Sequence, residues 1–163
     1  MALSAGMLLY EIDDGLLRVL IAHMGGPFWA KKDERAWSIP KGEYATDEDP
    51  RAAAAREFEE EMGLPPPGGD LVELGTVRQP SGKKIIVYAL ESGFDATDIR
   101  SNLFEMEWPA RSGTIRSFPE VDRAEWVDCA TARVKLVAGQ VAFLDRLLAH
   151  LASTGTGTGA REQ

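Results

Sequence analysis

The stretch that decides the fold is Gly42 to Leu64, GEYATDEDPRAAAAREFEEEMGL. Asp49 stands directly before Pro50, and that pair marks a helix start. A short acceptor caps the free N–H groups, and proline in the first helical position gives up only an orphan donor. The residue before a proline also avoids helical torsions. Ala52 to Ala55 are the best helix formers available. Gly63 supplies a left-handed cap, and Pro65-Pro66-Pro67 forbid any continuation. The reading is a helix over about Pro50 to Met62.

At about 100° per residue, Glu57, Glu60 and Glu61 fall on one face of that helix. Phe58, Met62 and Ala55 point the other way, toward a core, and Glu59 points into water. At about 6 Å and an effective dielectric of about 20, each like-charge pair costs on the order of 3 kcal/mol. Arg56 can pair with Glu60 one turn on, but it is expected at the flank of the cluster. A hard divalent cation with oxygen ligands compensates better. The competing reading is a wet acidic face, the usual fate of a charge run.

The spacing of the whole stretch separates the two. Gly42, Glu48, Arg56, Glu57, Phe58, Glu60, Glu61, Gly63 and Leu64 fill every specified position of G-x5-E-x7-R-E-U-x-E-E-x-G-U, where U is apolar. The stretch therefore resembles the Nudix hydrolase signature. The resemblance implies an α+β fold, an α/β/α sandwich with a mixed sheet between helices. It implies a pyrophosphohydrolase in which Glu57, Glu60, Glu61 and the Gly42 carbonyl hold Mg²⁺ or Mn²⁺. Glu48 and Arg56 match positions that support the site. The base is then Glu57 or a late acid ahead of Trp126. Glu120 is the candidate for the latter, in competition with Glu105, Glu107, Asp122 and Glu125.

Composition narrows the class further. At 163 residues, one domain over 1–152 is expected, followed by a disordered Gly/Thr-rich tail over 153–163. A net charge of −8 argues against nucleic-acid binding. It does not exclude a small nucleotide as partner, because a bound cation inverts the local field. No stretch is apolar enough to span a membrane. The opening MALSAGMLLYEIDD turns acidic too soon for a secretion signal. One cysteine, Cys129, suits a reducing cytoplasm. A monomer or homodimer is expected.

Around the helix, Ser4–Tyr10 and Leu16–His23 read as strands joined at Asp13-Asp14-Gly15. Leu71–Gln79 and Lys84–Glu91 read as another pair, turning at Pro80-Ser81-Gly82. Phe94–Arg116 shows little order, and Glu125–Val127 reads as a last strand. Beyond Ala130, Leu144, Leu147, Leu148 and Leu151 recur at helical spacing. Lys41, Trp37 and Arg111 are candidate substrate contacts. For Trp37 a place in the core competes, and for Arg111 a plain surface position. His23 reads as a satisfied surface histidine.

The lead-in Trp37-Ser38-Ile39-Pro40-Lys41-Gly42 is similar to that of diadenosine polyphosphate hydrolases. The tyrosine those enzymes carry beyond the box is missing. Pro80 stands in that window, as in ADP-ribose hydrolases, though a turn explains it equally. A nucleoside or dinucleoside polyphosphate is the favoured substrate, with ADP-ribose or a nucleotide sugar as alternative. A non-catalytic nucleotide-binding module is the alternative of another class.

Overall fold

The computed structural model describes residues 2–154. Strands β1 (Leu3–Asp13) and β2 (Leu16–Met24) form a hairpin. Its turn residues Asp14 and Gly15 both have positive φ, 53° and 79°, which matches the right-handed twist of the flanking strands. Next come β3 (Trp37–Ser38), β4 (Lys41–Tyr44) and helix α1 (Pro50–Met62). Strands β5 (Val72–Arg78), β6 (Lys84–Glu91), β7 (Leu103–Glu107), β8 (Ile115–Pro119) and β9 (Val121–Asp128) follow. Helices α2 (Cys129–Lys135) and α3 (Ala142–Ser153) close the fold, separated by a 3-10 turn over Ala138–Gln140. None of the helices among the described residues is long and apolar enough to cross a membrane.

Seven strands make one mixed sheet in the order β3-β2-β1-β6-β5, with β4 also on β1 and β9 also on β2. The β1–β6 pair is parallel and the others are antiparallel. Strand β1 is apolar along most of its length because both its faces are covered. Ala5, Met7 and Leu9 pack under α1 with Ala53, Phe58 and Met62. Leu8 and Tyr10 pack on the other face with Phe143, Leu144 and Leu147 of α3. This is the expected sandwich: one helix over one face, two over the other.

Helix α1 has the expected bounds. The Asp49 side chain accepts from the Arg51 N–H, and Gly63 caps the other end at φ 83°. Gly42 lies in β4, opposite Ala5. Two local readings change. Phe94–Arg116, which showed little order, holds β7 and the start of β8, paired from Leu103–Pro119 to Glu107–Ile115. The first two residues of the expected tail are helical in setting: Ser153 ends α3 and Thr154 caps it. Its remainder, 155–163, lies outside the described residues.

Candidate active site

Strand β4 runs beneath α1 and brings Gly42 against Glu57. A β-carbon built on Gly42 would lie 1.9 Å from Glu57 Oε2 and 2.0 Å from its Cδ. Position 42 therefore needs a glycine so that this carboxylate can rest on bare backbone. Glu57 is only 8% exposed. Burial pushes its carboxyl above the ordinary range, Arg56 opposes that, and Glu60 adds to it.

Arg56 sits closer to the centre of the cluster than its helical position suggests. Its Nη1 donates to Glu57 Oε1 at 2.7 Å and to Glu60 Oε1 at 3.4 Å. Its Nε and Nη2 hold the two oxygens of Glu48, each at 3.1 Å. The Glu48 bond, ahead of the Glu57 bond, holds the guanidinium pKa above its usual value.

Glu61 faces Lys41 and Glu120. Burial pushes its carboxyl up to about 8. The Lys41 charge and backbone pull it down, while Glu120 and Glu57 push it up. Glu120, at the corner between β8 and β9, is itself raised by burial and then by Glu60. Glu120 is thereby tied electrostatically to the helix. Asp122 pairs with His23, Glu125 pairs with Arg123, and Glu107 accepts N–H bonds inside the β7–β8 hairpin.

A bulge aims Glu120. The β2–β9 register slips between His23 and Met24, which leaves Asp122 as an extra residue. Bulges of this kind re-aim side chains beside functional sites. His23, fully buried rather than on the surface, fixes it. Its Nδ1 lies 2.8 Å from Asp122 Oδ1 and its Nε2 lies 2.7 Å from the Lys32 carbonyl oxygen. Gly25 donates its N–H to the Glu120 carbonyl oxygen at 2.9 Å. A β-carbon there would lie 2.0 Å from the Pro119 carbonyl oxygen, so this approach too requires glycine.

Two proposed substrate contacts stand elsewhere. Trp37 has no solvent exposure. It lies edge-on to His23 and donates its indole N–H to Asp33 at 2.9 Å, so it braces the core and offers no face for stacking. Arg111 is exposed in the turn of the β7–β8 hairpin, where its N–H donates to Glu107. Sequence reasoning missed Phe104 and Met106. They line a cleft with Phe28, Trp29 and Glu120. The alternation in Leu103-Phe104-Glu105-Met106-Glu107 was the available signal.

Among the described residues, no three His, Cys, Asp or Glu side chains form a ready-made metal cage. Glu57 and Glu60 turn to Arg56 instead. The donor chemistry nonetheless fits a hard divalent cation. The Glu57 and Glu61 carboxyls are both raised, with neighbouring acids among the causes, and the bare backbone of Gly42 lies beside Glu57.

The NUDIX domain model matches residues 2–147. An RNA pyrophosphohydrolase of Hahella chejuensis (strain KCTC 2396) is 37% identical over 73 residues, which is 43% of this chain and 45% of that protein. The match thus spans under half of the relative's length. The NUDIX domain of Shewanella oneidensis NrtR, complexed with ADP ribose, shares the fold at TM-score 0.63 and 19% identity, over 91% of this chain and 87% of that one. A C. elegans Ap4A hydrolase does so at TM-score 0.62 and 20% identity, over 92% and 98%. The chain belongs to the NUDIX family.

Proposed function

We propose that the protein hydrolyses a phosphoanhydride bond of a nucleoside polyphosphate or dinucleoside polyphosphate, using Mg²⁺ or Mn²⁺. Glu57, Glu60, Glu61 and the Gly42 carbonyl would hold the cation. The observation that carries this reading is the Glu57 carboxylate packed against Gly42, with Glu61 and Glu120 acting on the same charged patch. A cation bound there supplies Lewis-acid polarisation of phosphoryl oxygens and a more acidic water.

The chain's own groups do the rest. Glu48 and Arg56 hold Glu57 and Glu60 in place. Lys41, whose charge faces Glu61, offsets charge on the phosphate chain. Glu120 makes no side-chain hydrogen bond among the described residues, and burial raises its pKa. Both properties suit it to take a proton from the attacking water, whereas Glu57 is clamped by Arg56. We place this chemistry in one catalytic domain, in a cytoplasmic monomer or homodimer.

The test is phosphate release with Mg²⁺ over nucleoside triphosphates, diadenosine polyphosphates, ADP-ribose, nucleotide sugars and a 5′-triphosphorylated oligoribonucleotide. The last arm follows the name of the Hahella relative. Turnover is expected on the first two groups. Turnover confined to ADP-ribose or nucleotide sugars would move the substrate class. Silence across the panel from folded protein would make it a nucleotide-binding module.

A further inference from the structure

The last turn of a helix ends in carbonyls that have no helical partner. In α1 the Gly63 N–H takes the Glu59 carbonyl, and the carbonyls beyond it need outside donors. A short segment, residues 100–102, crosses the helix end and supplies two. The Asn102 N–H donates to the Glu60 carbonyl oxygen at 2.8 Å, and the Arg100 N–H donates to that of Met62 at 3.0 Å. A β-carbon on Gly63 would lie 2.5 Å from the Arg100 carbonyl oxygen, so the segment passes this close only because residue 63 is bare.

The same segment holds the corner between β8 and β9. The Glu120 N–H donates to the Asn102 carbonyl oxygen at 2.9 Å. The Val121 N–H donates to the Ser101 hydroxyl at 3.0 Å, and that hydroxyl donates to the Asn102 carbonyl oxygen at 2.9 Å. Ser101 and Asn102 thus present two linked acceptors to two successive N–H groups. Val121 is buried, and an N–H left there without its acceptor is costly.

Residues 100–102 therefore join both halves of the acid cluster. Asn102 alone bonds Glu60 through its N–H and Glu120 through its carbonyl. The Glu120 side chain has no hydrogen bond of its own among the described residues, so the backbone decides where its carboxylate stands. We propose that Ser101 is a positioning residue: its hydroxyl, through the Val121 N–H, holds the β8–β9 corner so that Glu120 faces the acids of α1. The proposal rests on the pyrophosphohydrolase reading, with Glu120 as the base. The Ser101 hydroxyl touches none of the acids assigned to the cation, so its loss should slow turnover and spare affinity.

Ser101→Ala is expected to lower kcat for ATP about tenfold, the small end of what a misplaced group costs, with KM and the Mg²⁺ requirement within about twofold of wild type. Ser101→Thr keeps the hydroxyl and should restore kcat. In a Glu120→Gln background, Ser101→Ala should cost nothing more, because both changes remove one function. A serine that only stabilised the fold would lower both backgrounds alike. Amide hydrogen exchange needs no turnover: at Glu120 and Val121 it should speed up in Ser101→Ala and return to the wild-type rate in Ser101→Thr. If folded wild type hydrolyses nothing in the substrate panel, the pyrophosphohydrolase reading fails; faster exchange in Ser101→Ala then upholds the anchored corner, and unchanged exchange overturns it. If wild type turns over ATP while Ser101→Ala keeps its kcat, or lowers kcat equally with and without the Glu120 carboxylate, the positioning role is overturned.

Discussion

Glu48 grips Arg56 through both carboxylate oxygens, at 3.1 Å to Nε and 3.1 Å to Nη2. This two-pronged bond ties the segment before α1 to the middle of the helix. It also fixes the guanidinium whose remaining nitrogen holds Glu57 and Glu60. Both partners are substantially exposed, at 40% and 31%, so the pair adds little to stability. Its value lies in positioning.

Glu48→Gln should therefore leave the melting temperature nearly unchanged and lower kcat/KM by about 10- to 100-fold, as removal of an orienting partner does. The Mg²⁺ concentration giving half-maximal rate should rise in parallel. Arg56→Lys, which loses the fork geometry, should behave alike. Steady-state kinetics over a Mg²⁺ series check both.

Gly42→Ala and Gly25→Ala should part company. The alanine methyl at 42 meets the end of the Glu57 side chain, which can swing aside. That protein should fold and lose at least about tenfold in kcat/KM through a displaced carboxylate. The methyl at 25 meets the backbone of Pro119, which cannot yield locally. That protein should be destabilised as well as impaired, because the corner carrying Glu120 must shift. Thermal melts and kinetics on the two variants separate these outcomes.

The Glu61 carboxyl sets a pH trend for metal-free protein. Its folded pKa, about 8, lies above the ordinary 4.5. The folded chain thus holds the proton more tightly than the unfolded chain. That contribution is complete below pH 4.5 and is lost as pH rises through about 8. Burial is the main cause, with Glu120 and Glu57 adding to it and Lys41 opposing. The melting temperature in EDTA should fall across this window, and Glu61→Gln should flatten part of the fall.

Trp37→Phe tests whether that ring serves the core. It removes the indole bond to Asp33 and leaves a gap in a sealed site. A loss of about 1–3 kcal/mol in stability is expected. The KM for nucleotide should not change. Denaturant unfolding and kinetics report the two separately.

The sequence made α1 legible to the residue, because capping, proline and alanine all pointed the same way from Asp49 to Gly63. It also placed Gly42, Glu57, Glu60 and Glu61 together, since helical spacing and one short loop bring them there. The role of Trp37 was left open, because a tryptophan beside a motif looks alike whether it stacks on ligand or on a buried histidine. His23 was misplaced for a related reason. Its partners, Asp122 and the Lys32 carbonyl, come from a bulge and a loop with no local signature. The Phe104 wall was missed because a five-residue strand pairing outside the main sheet gives a weak alternation signal.

The most direct measurement is the initial rate of ATP hydrolysis against Mg²⁺ for wild type and Glu61→Gln, on protein shown to be folded. Turnover should require Mg²⁺ in the wild type. In the variant it should fall by about a hundredfold, the scale on which loss of one charge-stabilising group acts. A Glu61→Gln protein that cleaves ATP at close to the wild-type rate would contradict the account.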